Sequence, residues 1–204
     1  MTKQNMKKNK GFTLVELVVA VAIFAFMTAL LLAKYGTFNQ SVLLTNLAYD
    51  IALVIRNAQS YGLNVKSVPV VNGTNYSNDF SKPYGVRLSI STTGTPAANT
   101  QVLLFADLNQ NERYDTGETI STYYLKRGNT ISVLCGGPTG SCNNSLTSVD
   151  IVFKRPDPNA IMTGRNLINH EVPNLTYLEI HIKPTSGAVK KIRINPTGLI
   201  YIFN

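Results

Sequence analysis

The sequence predicts an α+β fold, in which one long N-terminal helix packs on an antiparallel β-sheet body of about seven to nine strands. Three observations predict this fold. An apolar run covers residues 12–33. An amphipathic pattern, with apolar residues three or four apart, continues from it to about residue 61. Beyond residue 65, short apolar or alternating segments are separated by turns rich in Gly, Pro, Asn and Asp.

The apolar run is long enough to cross a membrane, because roughly 20 apolar residues in a helix span a hydrocarbon core of about 30 Å. Only Thr13, Glu16 and Thr28 interrupt its apolar character. Four lysines and no acid precede it, and basic flanks stay on the cytoplasmic side. We therefore expect a single membrane span with the body outside the cytoplasm. The run is too long for a secretory signal peptide, and no small-residue cleavage site closely follows it.

Residues 10–17 read Lys-Gly-Phe-Thr-Leu-Val-Glu-Leu. This segment resembles the class III leader of type IV pilins and type II secretion pseudopilins. The resemblance implies that a prepilin peptidase cuts after Gly11 and methylates the new amino terminus, Phe12. It also implies that Glu16 is the assembly glutamate, for which we expect an ion pair with the Phe12 amino group of a neighbouring subunit. The chain would then divide into a leader (1–11), a transmembrane assembly helix (12–33), an amphipathic second half of that helix (34–64) and a β-rich extracytoplasmic body (65–204).

The amphipathic half of the helix is predicted to end near Gly62, because glycine favours a helix C-cap. The apolar side chains along one side of this half must be buried, and a face of the predicted sheet is the only large apolar surface that the sequence predicts for them to pack on. A hairpin is predicted around Gly128 and Asn129, and residues 159–173 fit neither periodicity. The predicted strands cover residues 68–71, 86–90, 102–106, 121–126, 130–134, 149–154, 178–182, 189–194 and 199–203.

Many strands without further helices resemble the GspH/FimT-type minor pseudopilins. This resemblance implies a pilin-like structural subunit that helps to assemble or prime a type II secretion pseudopilus or a type IV pilus. Its partners would be other pilin subunits, the prepilin peptidase and an inner-membrane assembly platform. A major pilin and a FimT-like minor pilin that binds DNA for uptake are the alternatives. The candidate DNA-binding residues form a basic cluster near the C-terminus, which a solvated edge strand also explains: Lys183, Lys190, Lys191 and Arg193.

The composition predicts a folded protein without catalytic activity. Aromatic residues make up 9% of the chain and charged residues 15%, which is not the composition of a disordered chain. Removing residues 1–11 takes away four lysines and lowers the formal net charge from +8 to +4, which is poor support for nucleic-acid binding. His170 and His181 are the only histidines and lack metal-ligand spacing. Neither a Gly-rich phosphate loop nor a Gly-x-Ser-x-Gly motif occurs.

The two cysteines, Cys135 and Cys142, are seven residues apart and are separated by Gly and Pro residues that favour a tight loop. If the body is extracytoplasmic, a disulfide between them is chemically allowed, and free thiols are the alternative. Two cysteines at this spacing supply neither a Cys-x-x-Cys redox motif nor a four-ligand zinc site.

An acidic loop at residues 107–118 has oxygen-bearing side chains at the spacing of an EF-hand calcium loop. Its sixth position is Glu112, where a calcium loop favours glycine, and its flanks are predicted strands. A polar hairpin loop, whose Asp and Asn side chains cap the turn, is the alternative to a calcium site. The candidate calcium ligands are Asp107, Asn109, Asn111, Asp115 and Glu118.

Overall fold

The structure is a computed structural model that describes residues 11–64, 66–68, 80–91, 98–137, 142, 145–168, 170–184 and 189–203, apart from the side chains of residues 37 and 38. The rest of the predicted leader, residues 1–10, lies outside this range. The predicted fold class is confirmed, since one long helix packs on a large antiparallel sheet of ten strands. The chain divides into two compact units, Met1–Asn39 and Gln40–Asn204.

The helix precedes all ten strands, with a short 3-10 helix at Ala98–Thr100. Their bounds are α1 (Leu14–Leu63), β1 (Tyr84–Ser89), β2 (Gln101–Ala106), β3 (Thr119–Tyr124), β4 (Thr130–Gly136), β5 (Ser145–Lys154), β6 (Asp157–Asn166), β7 (Glu171–Val172), β8 (Leu178–Lys183), β9 (Lys190–Ile194) and β10 (Ile200–Phe203).

The sheet runs in the order β10-β9-β8-β4-β5-β1-β2-β3, and β6 lies off this path, where it pairs with β5 and β7. All of these pairs are antiparallel. On β1, Val86 and Leu88 point to the inner face, opposite Leu104 and Val102 of β2. The alternation that predicted these strands is therefore the alternation between the two faces of the sheet.

The part of α1 in the body unit buries one stripe against the inner face of the sheet. Its members recur three or four residues apart, so they share one side of the helix. They join the side chains of the inner face in a single apolar core. The stripe consists of Leu44, Leu47, Ala48, Ile51, Ile55 and Ala58, each 5% exposed or less.

The predicted position of the helix end is confirmed, but the role predicted for Gly62 is wrong. Gly62 lies inside α1, which ends at Leu63, so it does not cap the helix. A Cβ at Gly62 would collide with the backbone carbonyl oxygen and the Cβ of Phe153 in β5. Glycine is needed there because the last helical turn lies directly on the strand.

Two further predictions need correction. The strands that flank Gly128 do not form a hairpin, because β3 pairs with β2 while β4 pairs with β5 and β8. The unassigned residues 159–173 contain most of β6 and all of β7. Of the predicted strand 68–71, Val68 is described outside any strand and residues 69–71 lie outside the described range. The other eight predicted strands are present, and every end lies within four residues of the predicted one.

Candidate functional site

The N-terminal segment begins with a capped helix. Thr13 precedes the first helical residue, and its Oγ1 accepts a hydrogen bond from the Glu16 backbone N–H at 3.2 Å. This is the geometry of an N-cap, which satisfies one of the orphan donors at a helix start. Glu16 therefore lies in the first helical turn, where the positive end of the helix dipole favours a carboxylate.

The large apolar side chains between Phe12 and Leu32 are exposed all around the helix within this chain. Phe12 is 81% exposed and Leu31 is 73% exposed. Such a segment requires an apolar environment outside the chain, and α1 is long and apolar enough to cross a membrane. Inside the run, Thr28 Oγ1 donates to the Phe24 carbonyl oxygen at 2.7 Å, so its hydroxyl needs no outside partner.

The candidate calcium ligands are linked by hydrogen bonds within the loop. The side-chain amides of Asn109 and Asn111 both donate to Asp115 Oδ2 at 2.7 Å. These two bonds are the main reason that the pKa of Asp115 is lowered. Glu112, at the position where a calcium loop favours glycine, takes the left-handed conformation with φ 66°. The loop thus makes the sharp turn without glycine.

The first and last carboxylates of the loop are buried. Asp107 is fully buried, and its two oxygens accept from the N–H groups of Asn111 at 3.1 Å and Glu112 at 2.8 Å. Glu118 is 4% exposed and accepts from the N–H groups of Leu108 and Asp115. Burial raises the pKa of Asp107 and of Glu118, although these hydrogen bonds oppose the rise. The carboxylates of Asp107, Asp115 and Glu118 are not among the groups of described side chains whose ligand atoms gather closely enough to hold a metal ion, so calcium binding stays a prediction.

The acidic loop also covers the outer face of the sheet, which sequence reasoning missed. Tyr114 packs edge-on against Phe105 of β2, with ring centroids 5.4 Å apart, and the Arg87 guanidinium lies 5.2 Å from its centroid. Beneath it, Arg87 Nη1 lies 3.0 Å from both carboxylate oxygens of Asp150. The Tyr114 backbone N–H also donates to this carboxylate. Opposite charges at outward-facing positions of two predicted strands were the only sequence signal for this pair.

Two ion pairs join the acidic loop to neighbouring strands. Arg113 Nη2 lies 2.5 Å from Glu171 Oε2 of β7, and Lys154 Nζ of β5 lies 3.6 Å from Glu112 Oε1. All four side chains are more than 30% exposed, so each pair contributes little stability on its own.

The structure joins Cys135 and Cys142 by a disulfide, with Cα atoms 5.3 Å apart. Glu179 and His181 of β8 lie beside it, and one ligand atom from each of the four residues falls within 4.8 Å of the others. Sequence spacing gave no signal for this cluster. Disulfide sulfurs are not thiolates, so the four residues do not form a zinc site in this state.

The basic cluster near the C-terminus is divided by the sheet. Lys190 and Lys191 are neighbours on β9 and so point to opposite faces. Arg193 already pairs with Glu179, whose other oxygen accepts from His181 at 3.0 Å. Burial opposes ionisation of Glu179, but these two partners outweigh it and lower its pKa. Moreover, β9 pairs with both β8 and β10, so the edge-strand explanation of these lysines is wrong.

Comparison with known proteins gives one match. Residues 6–32 match the family model described as the prokaryotic N-terminal methylation motif. No curated protein and no solved structure matches the chain. The matched residues contain Gly11, Phe12 and Glu16, which the resemblance singled out. The motif supports the interpretation of the chain as a type IV pilin-like precursor that a prepilin peptidase processes, in a family of structural proteins.

Proposed function

We propose that the chain is a minor pseudopilin or pilin, a structural subunit of a type II secretion pseudopilus or a type IV pilus. The methylation motif over residues 6–32 is the observation that carries this proposal. Residues 1–11 would be the leader, 12–33 the membrane and assembly helix, 34–64 its amphipathic second half, and 65–204 the body.

Gly11 supports cleavage by a peptidase rather than a structural role for this glycine. Among the described residues, no heavy atom lies within 4 Å of a Cβ built at Gly11, so this part of the chain would accept a larger residue there. A glycine that the fold does not require is expected where a peptidase must approach the backbone closely. Cleavage then leaves the Phe12 amino group for methylation.

Glu16 would guide assembly through its charge. A carboxylate at the centre of a membrane helix costs about 2.5–3.5 kcal/mol on insertion scales. Glu16 lies one turn from Phe12, close to the membrane interface, where that cost is smaller. In a filament, an ion pair with the Phe12 amino group of a neighbouring subunit would neutralise both charges.

The subunit would be a single-pass protein of a prokaryotic inner membrane with an extracytoplasmic body. The disulfide between Cys135 and Cys142 supports an oxidising compartment for the body. Its partners would be other pilin subunits through the N-terminal helix, the prepilin peptidase and the assembly platform. A major pilin remains the alternative, and subunit abundance in filaments separates the two roles. DNA uptake has less support, because Lys190 is separated from the rest of the basic cluster and Arg193 is engaged by Glu179.

Mass spectrometry of the protein from membranes and from sheared surface filaments tests this proposal. We expect a methylated Phe12 terminus in both fractions and a low abundance in filaments. Abundance comparable to the main subunit would make it a major pilin, and an intact leader throughout would refute the processing. Glu16→Ala should keep the protein in the membrane but remove it from filaments, with Thr28→Ala as the matched control. Normal incorporation of Glu16→Ala would exclude the ion pair.

A further inference from the structure

The body unit has one end at which cations gather, the end that contains Gln40 of α1. The turn between β3 and β4 and the residue after β8 both lie beside the helix at this end. A shallow pocket between them is lined by Gln40, Leu43, Arg127, Asn129 and Pro184.

Strand register brings a further lysine to the Gln40 end. Lys183 is the last residue of β8 and pairs with Thr130, the first residue of β4. Three cations therefore border this end, and we call them the basic rim: Lys126, Arg127 and Lys183.

The turn that carries two of these cations is held by a buried side chain. Asn129 is 7% exposed, and both its backbone N–H and its Nδ2 donate to the Lys126 carbonyl oxygen, at 3.3 and 2.8 Å. Arg127 and Gly128 take the left-handed conformation, with φ 62° and 71°. This is a tight turn of fixed shape. Lys126 and Arg127 are exposed on it, so their charges are presented outward.

Within the described residues of the β3–β4 turn and the end of β8, no acidic residue offsets the basic rim. Residues 125–130 and 182–184 contain no Asp or Glu. Along α1 there is no acid between Glu16 and Asp50. Clustered cations without nearby acids produce a positive local potential, which attracts an anionic surface.

We propose that the basic rim binds the headgroups of anionic phospholipids in the membrane that holds residues 12–33. The inference rests on the membrane-anchor part of the proposed function. Six residues lie between Ala33 and Gln40, and the seven residue steps from one to the other span at most about 25 Å when fully extended. The rim is thus tethered close to headgroups, at a high effective concentration. Each basic residue close to an anionic surface contributes about 1 kcal/mol, or roughly fivefold in binding.

Tethering favours lipid over nucleic acid as the partner. The headgroups are an anionic surface that the anchored chain cannot leave, whereas a nucleic acid must reach the rim from solution and compete with them. Bound in this way, the body would be held at the membrane until the subunit is withdrawn into a filament.

The absence of tryptophan from the chain allows a direct test. The full chain is reconstituted in nanodiscs of phosphatidylcholine alone or mixed with phosphatidylglycerol, each with nitroxide-labelled headgroups as quencher. Tyr124→Trp places one indole two residues before Lys126, at a position that is 62% exposed. Leu199→Trp is the matched control, since Leu199 is 50% exposed and precedes β10 at the opposite end of the β9–β10 pair.

We expect phosphatidylglycerol to increase quenching of the indole at position 124 but not at position 199, and salt to reverse the increase. Reversing three rim charges (Lys126→Glu, Arg127→Glu, Lys183→Glu) should abolish the phosphatidylglycerol effect. Reversing Lys66, Lys82 and Lys154 instead should preserve it, at the same net charge. Thermal melting confirms that both triple variants are folded.

Three results would overturn the proposal. One is quenching that does not respond to phosphatidylglycerol, and another is a response that survives reversal of the rim. The third is displacement of the rim from the lipid by a short DNA duplex, which would assign it to nucleic acid. A chain that fails to co-purify with nanodiscs would refute the membrane anchor as well. A retained chain without the lipid response would refute the rim alone.

Discussion

Replacing Arg87 by methionine should destabilise the body strongly at neutral pH. Asp150 is 3% exposed, so Arg87→Met leaves a buried carboxylate without its ion-pair partner. Breaking a buried pair by removing one partner typically costs 3–5 kcal/mol. The Arg87 side chain keeps 17% exposure and the Tyr114 N–H still donates to Asp150, so we expect about 2–4 kcal/mol here.

The loss should depend on pH in a defined direction. Burial raises the pKa of Asp150 above its unfolded value, against the opposing effect of Arg87. The folded state therefore binds the Asp150 proton more readily than the unfolded state does. The stability that this protonation contributes is fully present below the unfolded pKa and is lost as pH rises through the folded pKa. Without Arg87 the folded pKa rises further. The gap between the variant and the original protein should thus be small in acid and should widen toward neutral pH.

Urea denaturation of the full chain in mild detergent, followed by circular dichroism from acid to neutral pH, measures this gap. Asp150→Asn combined with Arg87→Met should recover part of the loss, because no unpaired charge then remains buried. Lys154→Met is the matched control: its pair with Glu112 is 46% and 41% exposed and should contribute less than about 1 kcal/mol. A loss for Arg87→Met as small as the control's, or one independent of pH, would refute the reasoning.

Three further predictions also concern the stability of the folded body. Gly62→Ala should destabilise the body by about 1–3 kcal/mol, because the new Cβ collides with Phe153. Gly36→Ala is the control and should not destabilise the body, since a Cβ there meets no described heavy atom within 4 Å. Equal effects of the two substitutions would contradict the packing argument. Cys142→Ser should cost about 2–3 kcal/mol by opening a short disulfide loop, and reduction of the original protein should cost the same. Millimolar calcium should raise the melting temperature of the original protein but not of Asp115→Asn, and an unchanged melting temperature would count against the calcium site.

Periodicity predicted the helix and eight strands because burial on one face leaves a regular trace in the sequence. It failed for β6. Pro158 and Gly164 suggest turns, yet Pro158 lies at the outer start of the strand. Gly164 lies beneath the Leu146 side chain, which a Cβ would contact. Both exceptions depend on neighbours that are distant in the chain.

The turn between β3 and β4 shows the same limit. Gly128 and Asn129 predicted a turn at this point, and Gly128 takes a positive φ in the structure. The choice of strand partners was not, because the strands leave this turn for different neighbours in the sheet. In the acidic loop, the sequence identified Asp and Asn side chains that form hydrogen bonds within the turn. The cover that Tyr114 forms over Phe105 requires the sheet to be assembled first.

The buried stripe of α1 also determines how the body responds to mechanical force. Six side chains from Leu44 to Ala58 hold the helix on the sheet, and Gly62 fits its last turn against Phe153. A pull on the helix at Gln40 would be shared by these contacts rather than carried by any one of them. The close fit of Gly62 on Phe153 adds a contact at the far end of the stripe. The load would thus be spread along the helix before the body unfolds.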